Sequence, residues 1–118
     1  MRQLKIGDTM ADDTDLGPVI SRNHEKKVLD YIAIGRSEGA RVVLGGEKVT
    51  EAPFDRGNYI QPTVFTDVTP DMRIAQEEIF GPVMSVIPFD DEADALRIGN
   101  DIDYGLAAGV FTNDLGRS

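Results

Sequence analysis

The residues best equipped for chemistry stand together in one short string, Gln76-Glu77-Glu78-Ile79-Phe80-Gly81-Pro82. A carboxylate accepts two hydrogen bonds and suits the vicinal hydroxyls of a ribose as well as it suits water. Glu77 and Glu78 are therefore either solvated acids at a helix end or acceptors for hydroxyls, and Phe80, judged locally, belongs to the core. The single histidine, His24, follows Ser21 by three residues at the start of an amphipathic pattern. A Ser/His pair at that spacing is explained by helix capping without invoking a nucleophile and its base. Asp90-Asp91-Glu92 suits the positive end of a helix dipole, and Asp12, Asp13 and Asp15 lack the ligand spacing and closing glutamate of a calcium loop. Gly45-Gly46 has no helix after it to offer a phosphate its N-terminus, so a turn is expected there. The chain has no GxSxG, HExxH, P-loop or GxGxxG string and no cysteine, so no catalytic and no metal residue is assigned.

The elements that must position these groups belong to an ordinary globular chain. Its 118 residues suffice for one core, with 41% hydrophobic and 28% charged residues. A net charge of -9 argues against nucleic acid, whose backbone is bound by clustered cations. The same charge disfavours an anionic membrane surface, and no apolar run approaches the roughly 20 residues of a membrane span. The opening residues lack the apolar stretch of a signal peptide, so a cytoplasmic location is expected.

Residues 7–20 form an irregular, turn-rich entry. Ser21 then caps a helix with Val28, Leu29 and Ile32 on its inner side, stopping near Gly39. Residues 40–46 predict a strand and 46–58 a surface excursion or a short hairpin. Residues 59–68 predict another strand, which Pro62 restricts to an edge or an irregular ladder. Thr69-Pro70-Asp71-Met72 predicts a helix start with Pro at its first position. A strand over 82–89 follows, then a helix over 93–100 with Ala93 and Leu96 facing the core. Residues 105–111 predict a closely packed central strand, and Thr112-Asn113-Asp114 a further helix cap near the last residue, Ser118. Helix alternating with strand predicts an α/β fold, a layered and mostly parallel sheet with flanking helices and at least one open edge.

As a whole the chain resembles the aldehyde dehydrogenase superfamily from Lys5 to its last residue. The landmarks are LGPVIS at 16–21, EGARVVLGG at 38–46, GNYIQPTVFTDV at 57–68, MRIAQEEIFGPVMSV at 72–86 and NDIDYGLAAGVFTNDL at 100–115, all in order and in register. Residues 45–68 are especially similar to betaine aldehyde dehydrogenases. The resemblance implies that residues 1–118 are the latter part of a catalytic domain, truncated at both ends. In the family a cysteine thiolate attacks the aldehyde, hydride passes to NAD or NADP, and a glutamate activates the water that releases the acid. An asparagine amide helps hold the oxyanion, and the enzymes oligomerise. The family's cysteine, general base and dinucleotide loop lie upstream of the matched part. The resemblance therefore implies a chain inactive by itself, within an enzyme oxidising an aldehyde, betaine aldehyde being the subfamily's substrate. It assigns Glu78 to the nicotinamide-ribose hydroxyls, Phe80 to a place beside that ribose and ring, and His24 to the same ribose, while Glu77 remains a solvated acid. The other function the sequence allows is a non-enzymatic module that self-associates through exposed strand edges.

Overall fold

The computed structural model describes residues 1, 3–114 and 116. Helix α1, Arg22–Glu38, starts where Ser21 Oγ accepts a hydrogen bond from the His24 amide at 3.2 Å. It stops where Gly39 turns left-handed at φ 105°, a conformation open to a residue without a Cβ. Its buried residues, Val28, Ile32 and Gly35, recur at the spacing of one helix face. That face lies on a core that also includes Ile60, Phe65, Val68, Ile74 and Ile79. The capping serine, the periodicity and the terminal glycine agree with one another, which is why this helix forms where the sequence predicts it.

Three strands follow in the order β1-β2-β3, with β1 at Arg41–Leu44, β2 at Thr63–Thr66 and β3 at Val83–Ser85. The α/β class is as expected, but the sheet is mixed rather than mostly parallel: β1 pairs antiparallel with β2, and β2 pairs parallel with β3. The connections explain both senses. Residues 45–62 return without a crossover helix, through an antiparallel bridge between Lys48 and Ile60 and a short 3-10 turn at Phe54–Arg56. Residues 67–82 carry helix α2, Arg73–Gln76, across the sheet, as a parallel pair requires. Pro62 does not mark an edge, since β2 is the central strand and Pro62 stands just before it, but the ladder is irregular as the alternative expected, its register with β1 shifting between Val42 and Leu44. Thr63, fully buried, accepts from the Gly46 amide at 2.9 Å and donates to the Gln61 carbonyl at 2.8 Å, tying the central strand to the glycine turn.

Helix α2 also begins later than predicted. The Met72 amide donates to the Thr69 carbonyl and Thr69 Oγ1 donates to Asp71 at 2.6 Å, so Thr69 to Met72 close a turn and the helix starts at Arg73. Helix α3, Glu92–Gly99, is capped by Asp91, which accepts from the Asp94 amide at 2.8 Å, so its acids do sit at its N-terminus. Ala93 and Leu96, however, are exposed, Leu96 at 62%, because no described element covers their side of the helix. The predicted central strand over 105–111 is absent as well. The segment has no regular structure and is exposed, with Leu106 and Phe111 fully open to solvent. A strand is defined by its ladder, and no described strand lies beside this one. The Asp114 amide bonds Thr112 Oγ1 in a local turn, while Leu115, Arg117 and Ser118 of the predicted final helix lie outside the described residues. Among the described residues no helix is long and apolar enough to cross a membrane.

Candidate functional site

Residues 76–82 leave α2 and lead into β3. Glu77 caps the end of α2, its amide donating to the Arg73 carbonyl. Ile79 turns inward and is buried. Gly81 lies so close to α1 that a Cβ there would meet Val28 Cγ2 at 2.7 Å, so only glycine lets the chain pass. Between them Phe80 adopts φ 55°, and its ring is 71% exposed. The local expectation of a core phenylalanine is therefore corrected. With its neighbours on both sides fixed against α1, the left-handed backbone at position 80 aims the ring outward. Left-handed backbone in a bulky L-residue is unusual and strained, and it persists where flanking contacts over-determine it.

The two glutamates have opposite fates. Glu77, expected to be solvated, is the engaged one. Arg73 Nε donates to its Oε1 at 2.7 Å and an Arg73 terminal nitrogen to its Oε2 at 2.9 Å, while the Tyr31 hydroxyl donates to Oε2 at 2.5 Å. The Arg73 bonds, and after them the Tyr31 bond, depress the Glu77 carboxyl to a pKa of about 2. The reciprocal bond to Glu77 raises the Tyr31 phenol above its ordinary value and strengthens the hold of Arg73 on its proton. Glu78 is exposed, and its carboxylate has no partner among the described residues. Its carbonyl oxygen is 3.5 Å from Lys27 Nζ on α1.

His24 is half-buried in the first turn of α1, one turn before Lys27 and Val28 on the same face, which places it on the helix edge that the 77–81 segment follows. Its amide serves the Ser21 cap. Gly45 and Gly46, where a turn is expected, both take a positive φ, 64° and 95°. Asp13 pairs with Lys5, Asp15 accepts from the Lys5 amide at 2.8 Å, and Asp91 and Asp94 serve α3. Among the described residues no group of three or more His, Asp or Glu is placed to hold a metal. The supports that sequence reading missed are Tyr31 and Arg73. The Arg73/Glu77 spacing of four was a legible signal for an ion pair on a helix face. Tyr31 lies 46 residues before its partner, and nothing local announces it.

A family model described as the aldehyde dehydrogenase family matches residues 1–118. Among solved structures, betaine aldehyde dehydrogenase from Staphylococcus aureus in complex with NAD+ is 40% identical, with a TM-score of 0.94 over 98% of this chain and 23% of that one. Mycobacterium tuberculosis aldehyde dehydrogenase complexed with NAD+ is 47% identical, with a TM-score of 0.92 over 98% of this chain and 24% of that one. A variant of the Bacillus cereus aldehyde dehydrogenase is 45% identical, with a TM-score of 0.88 over 98% and 23%. The chain thus spans about a quarter of the length of these structures. With the five landmark strings, the outward Glu78 and Phe80 and a family match over every residue, the chain belongs to the aldehyde dehydrogenase family.

Proposed function

We propose that residues 1–118 are part of the catalytic domain of an NAD- or NADP-dependent aldehyde dehydrogenase and supply one side of its nicotinamide-ribose site. The observation that carries this reading is the pairing of an unpartnered, exposed Glu78 carboxylate with the strained, outward Phe80 ring on one short segment. Glu78 suits the ribose hydroxyls as an acceptor, Phe80 offers an apolar face beside the ribose and nicotinamide, and His24 borders the same ribose. The cofactor, when bound, accepts hydride from the aldehyde carbon. This chain's own part is to orient it. The relatives with NAD+ support a nicotinamide cofactor, and the betaine aldehyde dehydrogenase likeness supports betaine aldehyde as the first substrate to try. A cytoplasmic setting and assembly into a homo-oligomer belong to the same proposal.

The isolated chain has no cysteine, and thioester chemistry needs a thiolate. With NAD+ and betaine aldehyde it is expected to form no NADH above a protein-free blank. Grafted in place of the matching segment of the Staphylococcus aureus enzyme, it is expected to support NADH formation, and Glu78→Gln in that chimera to raise the KM for NAD+ or lower kcat. NADH from the isolated chain, or a silent Glu78→Gln in an active chimera, would overturn the reading.

A second reading, a non-enzymatic module that self-associates, is favoured by one observation. Strands β1 and β3 leave open edges, and Met84, Phe89, Leu96, Leu106 and Phe111 are exposed on the part of the chain from β3 onward. On that reading, light scattering of the pure chain should return a mass of at least twice 12.9 kDa. A strictly monomeric chain across the concentration range would end it.

A further inference from the structure

We infer that Tyr31, Glu77 and Arg73 form a positioning latch that fixes residues 78–81 against α1 and so sets the direction of Glu78 and Phe80. The inference rests on the ribose-site reading for its purpose but not for its geometry. Among the described residues, the backbone amides of 78–81 donate no backbone hydrogen bond, so neither a helix nor a ladder holds the segment. Helix α2, four residues long, is too short to fix its own end. What remains are the buried Ile79 side chain and three attachments to α1. Glu77 is bound by Tyr31, Gly81 rests on Val28, and Lys27 reaches the Glu78 carbonyl. The Glu77 attachment is the strongest of the three, a charge-assisted bond from the Tyr31 hydroxyl of α1 to a carboxylate that the Arg73 guanidinium of α2 orients by two bonds. Both cations also flank the Tyr31 ring, Lys27 Nζ at 5.6 Å and Arg73 Cζ at 5.5 Å from its centroid. The phenol is therefore held from its face as well as through its hydroxyl. Glu77 is the residue just before Glu78, so its side chain sets where the next carboxylate begins.

The test is Tyr31→Phe, which removes a single oxygen, with Arg73→Lys as a second variant that keeps the charge but loses the bidentate fork. Heteronuclear 15N NOE values are read in the 118-residue chain, and the KM for NAD+ in the chimera. Each variant is expected to lower the NOE of residues 78–81 while the interior of α1 keeps its values, and to raise KM by about threefold or more. Unchanged NOE values at 78–81 would overturn the latch, as would an equal loss along all of α1, which would mark a general structural role. Loosened 78–81 amides together with a silent Glu78→Gln would leave the latch standing and remove only the ribose reading.

Discussion

Replacing Phe65 by alanine is expected to destabilise the chain by about 3–5 kcal/mol, a large part of the stability of any domain this size. Phe65 is fully buried in β2, the strand that pairs on both sides, opposite Val42 of β1 and Ser85 of β3. Its ring meets α1 at Gly35, where an added Cβ would lie 3.1 Å from Phe65 Cε1 and 2.8 Å from Ile74 Cδ1. Helix and sheet meet at this ring with no slack, so truncation leaves a cavity that neighbours on three elements would have to fill together. Phe111→Ala is the matched control. Its ring is fully exposed, and its loss is expected to change stability by no more than about 0.5 kcal/mol. Urea unfolding followed by far-UV circular dichroism reads both. A Phe65→Ala midpoint close to that of the parent would show that the core lies elsewhere.

These two phenylalanines also show how far the sequence could be read. Each stands in the tripeptide Val-Phe-Thr, at 64–66 and at 110–112. Both predict strand, yet one is the centre of the sheet and the other is fully exposed. Strand identity lies in the partner rather than in the string, since a ladder is a non-local set of bonds. Helix α1 was legible because its signals are local: a capping serine, an apolar face and a stopping glycine. The sense of β1 against β2, the central place of β2 despite Pro62, and the solvent side of α3 all depend on where distant chain returns. The site divides in the same way. Glu78 and Phe80 stood out through resemblance, but composition could not separate Glu77 from Glu78, because the distinction is made by Tyr31 on another helix. A strained φ at Phe80 has no signature in the sequence of the segment.

That strain leads to the last expectation, that Phe80→Asn should move stability and cofactor affinity in opposite directions. Asparagine tolerates the left-handed backbone that position 80 adopts at φ 55°, whereas a phenylalanine there costs roughly 1–2 kcal/mol. The ring is 71% exposed and contributes little packing in return, so the isolated chain should unfold at the same or a higher urea concentration. In the chimera the same substitution removes the apolar face proposed to lie beside the nicotinamide and its ribose. An aromatic contact of this kind is worth about 0.5–1.5 kcal/mol beyond the area it buries, so the KM for NAD+ should rise by roughly two- to tenfold. A side chain kept for packing would give the reverse pattern, with stability lost and KM unmoved. A gain in stability with a loss of affinity is the pattern of strain held in place for binding, since the fold itself does not need the ring where Ile79, Gly81 and the Glu77 latch place it.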